Sequence, residues 1–127
     1  MSAFIDSAPA APAEAPAPRV ALREPDAALR MLLSEWLRGV GFEPVPCDAG
    51  ASADVAIVVA DVSTPRVGGA ANIAALRERF RGAKVLAISG YFMTAGSSAA
   101  ARELGADALL AKPFSRGAFV AALQALA

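Results

Sequence analysis

Residues 55–61 read Val-Ala-Ile-Val-Val-Ala-Asp. A short run rich in β-branched residues is typical of a buried strand in a parallel sheet, and this one ends on the carboxylate of Asp61. Two later apolar runs end in the same way, one on Ser89 and one on Lys112. Because ligands bind at the carboxyl ends of the strands in open α/β sheets, the three runs predict a polar cluster at one edge of a sheet.

The remainder of the chain alternates strand and helix patterns. Residues 20–22 predict a first strand, and residues 42–47 predict a second strand whose two prolines suit a sheet edge. Asp26 and Ser115 are of the types that cap helices. Helical patterns begin after these two residues and also cover residues 70–80 and 97–104. Five strands alternating with helices predict a doubly wound α/β fold with a parallel sheet and right-handed crossovers.

The first eighteen of the 127 residues differ in composition from the rest. Alanine and proline alternate over residues 8–18, and such a segment cannot bury enough apolar surface to order itself. We therefore expect residues 1–18 to be a disordered tail or linker and residues 19–127 to be one domain. The sequence leaves open whether the chain stands alone or is a fragment of a larger protein.

The overall composition excludes several classes of function. Twelve basic and twelve acidic residues cancel, so the charge excess of a nucleic-acid-binding protein is missing. No apolar run approaches the ~20 residues that span a bilayer, and the single cysteine, Cys47, forms no internal disulfide, so we expect a cytoplasmic protein with no membrane partner. The chain has no histidine, which excludes serine-histidine catalysis and a phosphohistidine donor. If the protein handles phosphoryl groups, it receives them.

Taken together, the motifs resemble the receiver domains of two-component response regulators and hybrid histidine kinases over residues 19–127. The resemblance is carried by separated matches that are specific only in combination: Leu29 to Leu33 with Gly41-Phe42, Asp61 with Pro65 and Gly69, Ser89, Gly105-Ala106, and Lys112-Pro113-Phe114. It implies a CheY-like, flavodoxin-like fold, a five-stranded parallel sheet of strand order 2-1-3-4-5.

The same resemblance implies the chemistry of the site. The Asp61 carboxylate would accept a phosphoryl group from a histidine kinase or a histidine phosphotransfer protein, with Mg²⁺ bridging the carboxylate and the phosphoryl oxygens. The Ser63 backbone carbonyl would complete the metal shell. Ser89 and Lys112 would contact the phosphoryl oxygens, and the bond before Pro113 would be cis. No independent enzyme activity is implied beyond self-catalysed phosphorylation and dephosphorylation of the aspartate.

Two residue types depart from the family pattern. The acidic pair that usually follows the first strand is Glu24-Pro25 here, and proline cannot ligate a metal, so we expect Mg²⁺ to bind weakly. Glu24 and Asp26 are the remaining candidate ligands, although Asp26 is also well placed to cap the first helix. Leu109 stands where the family usually has an aromatic residue, so any phosphorylation would be read out elsewhere.

A third departure is the length of one connection. Only seven residues, 48–54, separate Cys47 from the third strand, too few for a crossover helix with its turns. We expect the second helix to be missing or vestigial, which would bare a sheet face for a homodimer or a fused kinase domain. This departure and Pro25 favour a rival interpretation, a pseudo-receiver that binds or dimerises without phosphorylation. A small-ligand-binding flavodoxin-like protein is disfavoured because no glycine-rich loop follows the first strand.

Overall fold

The computed structural model describes residues 17–47, 54–62, 69–90 and 98–127, with side chains in the last range described from residue 101 onward. Several sequence-based expectations fall outside these ranges. They are the disorder of the tail over residues 1–16, the positions of Ser63 and Pro65, and the connection over residues 48–53.

The described residues form one five-stranded parallel sheet of strand order β2-β1-β3-β4-β5 with four helices. This confirms the predicted fold class. In chain order the elements are β1 Arg19–Arg23, α1 Ala27–Gly39, β2 Glu43–Pro46, β3 Ile57–Asp61, α2 Ala70–Arg79, β4 Lys84–Ser89, α3 Ser98–Leu104, β5 Ala108–Ala111 and α4 Arg116–Leu126.

The core lies in two layers, one on each face of the sheet. Because successive strand residues point to opposite faces, β3 sends Ile57 and Val59 to one layer and Val58 and Ala60 to the other. Helices α1 and α4 cover the first layer, while α2 and α3 cover the second. All four side chains of β3 named here are at most 1% exposed, so β3 is the central buried strand that its sequence predicts.

Local signals fix the ends of the helices. Asp26 Oδ1 accepts a hydrogen bond from the Leu29 N–H, and Ser115 Oγ accepts one from the Ala118 N–H, so both predicted caps form. Gly41, in the turn from α1 to β2, has φ of +92°, a conformation in which a side chain would be strained.

An ion pair between Arg77 and Asp107 connects helix α2 to the residues just before β5, the edge strand of the sheet. Arg77 donates to the Gly105 carbonyl at 2.7 Å and to Asp107 Oδ2 at 2.9 Å, and Asp107 Oδ2 also accepts from the Val85 N–H at 2.8 Å. Desolvation is the largest effect on the Asp107 carboxyl and raises its pKa, but the hydrogen bonds from Val85 and Arg77 outweigh it and hold the pKa below 3.8.

Strand β2 forms the edge of the sheet that leads into the short connection. Val45 and Cys47 are half-buried and pack against the layer that α2 and α3 cover. The expectation of a missing second helix concerns residues 48–53 and lies outside the described residues. Across the part of the chain that the structure describes, no helix is long and apolar enough to cross a membrane.

Candidate functional site

Three strand ends meet at the carboxyl edge of the sheet, as the sequence predicts. β3 ends on Asp61, β4 ends on Ser89, and Lys112 follows the last residue of β5. Ser89 pairs with Ala111 in the sheet, and the Ser89 carbonyl accepts a hydrogen bond from the Lys112 N–H at 2.8 Å. The backbone of Lys112 is therefore fixed beside β4.

The Lys112 side chain reaches back across this edge to two carboxylates. Its Nζ lies 2.9 Å from Asp61 Oδ1 and 2.9 Å from Glu24 Oε1. The side chains of Glu24 and Asp61 are only 1% and 7% exposed, and that of Lys112 is 27% exposed. One ammonium group thus bridges two nearly buried anions.

Glu24 is held in place by its neighbours in the β1–α1 loop. Its Oε2 accepts from the Asp26 N–H at 3.0 Å, and its backbone carbonyl accepts from Arg30 Nη1 at 2.6 Å. Its Oε1 is buried and lies 2.9 Å from the Lys112 ammonium group. The Asp26 carboxylate itself is engaged as the cap of α1.

The charge environment of Lys112 shifts its pKa. Desolvation is the largest effect and lowers the pKa of the ammonium group, but hydrogen bonding and charge attraction from Asp61 and Glu24 outweigh it and hold the pKa above 10.5. Because the pKa is higher in the folded state, the contribution to stability is fully present at neutral pH. It is lost only as the pH rises through the folded-state value.

Solved structures of response regulators have the same fold as this chain. The chemotaxis response regulator CheY4 of Vibrio cholerae superposes with a TM-score of 0.70 at 18% identity, covering 87% of this chain and 99% of CheY4. A response regulator of Thermotoga maritima gives a TM-score of 0.65 at 18% identity, covering 87% and 97% of the two chains. An orphan response regulator of H. pylori gives 0.65 at 22% identity, covering 86% and 95%. The chain has the receiver-domain fold.

At this level of sequence identity, the similarity establishes the fold alone. The chemistry of the site has to be inferred from the residues of this chain. No protein-family model and no curated protein sequence matches the chain.

In this receiver fold, a cleft of about 410 Å³ opens beside Asp61. It is lined by Arg23, Glu24, Pro25, Cys47, Asp61, Val62 and Asn72. Sequence reasoning missed four of these residues as part of the site: Arg23, Cys47, Val62 and Asn72. Arg23 could have been found, because it ends the first strand in the way that Asp61 ends the third. Val62 directly follows Asp61. Cys47 directly follows β2 and Asn72 lies on α2, and nothing in the local sequence of these two residues indicates that they line the cleft.

The predicted site residues are distributed as follows. Lys112 contacts both Glu24 and Asp61, whereas the Asp26 side chain caps α1. Ser89 is fully buried at the end of β4, one residue past the pairing partner of Asp61. The bond between Lys112 and Pro113 is cis.

The described residues of the site fit Mg²⁺ poorly. This ion requires a near-octahedral set of oxygen ligands. Across the described ranges, no three histidine, cysteine, aspartate or glutamate side chains come together to hold a metal ion. The carboxylates of Glu24 and Asp61 are already bridged by Lys112, and Pro25 offers no side-chain oxygen.

Proposed function

We propose that this chain is a phosphoryl-accepting receiver domain in two-component signalling, with Asp61 as the acceptor. The observation that carries the proposal is the Asp61 carboxylate at the end of β3, beside an open cleft and 2.9 Å from the Lys112 ammonium group. The donor class is a phosphohistidine, on a histidine kinase or a histidine phosphotransfer protein. The receiver-domain fold and the absence of histidine from the chain support this assignment.

In the proposed reaction an Asp61 oxygen forms a bond to phosphorus while the phosphorus–nitrogen bond of the donor breaks. The electron pair of the broken bond returns to the imidazole nitrogen. A carboxylate attacks an anionic phosphoryl group slowly unless a cation balances the charge. Lys112 supplies that cation from within the chain, and Ser89 lies at the neighbouring strand end as a hydroxyl donor to a phosphoryl oxygen.

A second candidate function is a pseudo-receiver, a module of the same fold that binds or dimerises without phosphorylation. The observation that favours it is the ion pair between Lys112 and Glu24, because it gives the lysine a second partner that competes with a phosphoryl group. Pro25 favours it as well, since the residue after Glu24 cannot ligate a metal.

Treatment with acetyl phosphate, with and without Mg²⁺, separates the two candidates. We expect intact-mass analysis of the wild-type chain to show a single phosphoryl adduct. A chain that stays unmodified under both conditions would favour the pseudo-receiver and contradict the proposed function.

An apolar groove beside Lys112 is suited to a helix of the phosphohistidine donor. It is lined by Leu29, Leu32, Trp36, Lys112, Pro113 and Phe114. Lys112 lies both in this groove and in contact with Asp61, so a helix seated here would bring its histidine close to the acceptor. Leu32 is 41% exposed, so its side chain is accessible to a partner seated in the groove.

We expect a Leu32→Glu variant to receive the phosphoryl group from a protein donor about tenfold more slowly or worse, because a charge in the groove opposes apolar docking. Labelling by acetyl phosphate, which needs no docking surface, should be unchanged. Met31→Glu is the matched control, since Met31 is exposed on the same helix but lies outside the groove. Equal slowing with both donors, or none with the protein donor, would contradict the docking assignment.

A further inference from the structure

Arg23 places a second positive charge in the cleft beside Asp61. It is the last residue of β1, and it pairs in the sheet with Ala60, directly before Asp61. Its side chain is exposed and lines the cleft together with that of Asn72. Within the described part of the chain, the Arg23 guanidinium makes no hydrogen bond or ion pair. It is therefore available to a ligand that enters the cleft.

The two carboxylates of the cleft are engaged by Lys112 rather than by Arg23. Lys112 Nζ lies 2.9 Å from an oxygen of Glu24 and 2.9 Å from an oxygen of Asp61. An anion that enters the cleft thus meets a guanidinium group that has no internal carboxylate to compete for it among the described residues.

Arg23 and Lys112 reach the cleft from different sides. Successive residues of an extended chain point to opposite faces, so Arg23 and Glu24, the partner of Lys112, leave β1 on opposite faces of the sheet. Ala21, two residues before Arg23, packs in the layer that α2 and α3 cover. Arg23 therefore lies on the α2 side of the sheet, the side from which Asn72 also lines the cleft.

We propose that Arg23 and Asn72 form an oxyanion-binding site on one side of the cleft, which holds the phosphoryl group opposite Lys112. A guanidinium group presents two parallel N–H donors that match two oxygens of a phosphoryl group, and the Asn72 amide adds a further N–H donor. The proposal deepens the proposed function, on which it rests for its natural ligand. Its binding step can be tested with a phosphate anion apart from any phosphoryl transfer.

The charges of the cleft favour an anionic ligand. Glu24 and Asp61 carry two negative charges, and Lys112 balances only one of them. With Arg23 included, the four side chains are neutral together, so an incoming anion meets no net repulsion. Because the described residues fit Mg²⁺ poorly, Arg23 supplies the additional positive charge that favours transfer of an anionic phosphoryl group.

The test is titration of inorganic phosphate into the full ¹⁵N-labelled chain in the presence of EDTA, followed by NMR. The chain has one asparagine, Asn72, and one glutamine, Gln124, so the spectrum holds two side-chain amide groups. Gln124 is exposed on α4 and does not line the cleft. We expect phosphate to shift the Asn72 amide signals to saturation and to leave those of Gln124 in place.

An Arg23→Met variant measures the share of Arg23 in this binding. Methionine keeps much of the length of the side chain and removes its charge, so we expect phosphate to bind about tenfold more weakly or worse. Arg19→Met is the matched control and should bind like wild type, because Arg19 is exposed at the opposite end of the same strand. Arg23→Leu is a second neutral variant, for the case in which Arg23→Met does not fold, and should show the same loss.

Two results of the titration would overturn the proposal. One is an Asn72 amide that phosphate does not shift, or shifts no more than that of Gln124. The other is a folded Arg23→Met or Arg23→Leu variant that binds phosphate as tightly as wild type.

Labelling by acetyl phosphate in EDTA separates this proposal from the proposed function. Arg23→Met should be labelled about tenfold more slowly than wild type, and Arg19→Met at the wild-type rate. A wild-type chain that binds phosphate beside Asn72 but gains no phosphoryl group would contradict the proposed function and leave the anion site standing. A labelled wild-type chain with equally fast labelling of Arg23→Met would overturn the role of Arg23 and leave the proposed function standing.

Discussion

An Asp61→Asn variant is expected to gain no phosphoryl group from acetyl phosphate, whereas the wild-type chain gains one. The side-chain amide has the shape of the carboxylate but lacks its negative charge and its nucleophilic oxygen. Because the proposed reaction forms its bond at this atom, the expected effect is complete loss of the adduct. Intact-mass analysis of the two proteins under identical conditions measures it directly.

A matched control tests whether the loss is specific to the site. Asp54 is an exposed aspartate just before β3, at the opposite end of the strand from Asp61. Asp54→Asn should therefore be labelled like wild type. Circular dichroism should show that Asp61→Asn is folded. An adduct that persists in folded Asp61→Asn would remove Asp61 as the acceptor, while loss of labelling in Asp54→Asn as well would show that the assay does not report on this site.

The meeting of Asp61, Ser89 and Lys112 could be predicted from the sequence because it depends on the backbone alone. Each residue lies at or directly after the last residue of an apolar run, and parallel strands end at the same edge of a sheet. For β3, β4 and β5, the predicted and observed carboxyl ends differ by at most one residue. The polar residues therefore lie at the predicted edge of the sheet. The helix caps Asp26 and Ser115 are predictable for the same reason, since the interaction spans three residues.

The partner of each charged group could not be predicted in this way. Glu24 and Asp26 are both acidic residues in the loop after β1, and residue type does not tell which one turns inward. The structure decides through local hydrogen bonding, because the Asp26 N–H donates to Glu24 while the Asp26 carboxylate caps α1. The contact between Glu24 and Lys112 joins loops far apart in the sequence and depends on how the side chains pack.

An aromatic cluster lies beneath the loop that carries Lys112. The ring of Phe119 is 5.7 Å from that of Phe114 and 5.9 Å from that of Trp36, measured between centroids. Phe119 is fully buried, whereas Phe114 and Trp36 are half-buried at the edge of the cluster. The cluster therefore joins α1 and α4 to the segment that follows the cis peptide bond at Pro113.

A Phe119→Ala variant is expected to lower the free energy of unfolding by about 3–5 kcal/mol, because it removes a fully buried ring and leaves a cavity between α4 and the sheet. Urea denaturation followed by circular dichroism measures the change. Phe114→Ala is the matched control: it removes the same ring from a half-buried position and should cost clearly less, since less apolar surface returns to water. Equal losses in the two variants would contradict the buried position of Phe119. A loss in Phe119→Ala below about 1 kcal/mol would show that α4 does not pack on this face as the structure has it.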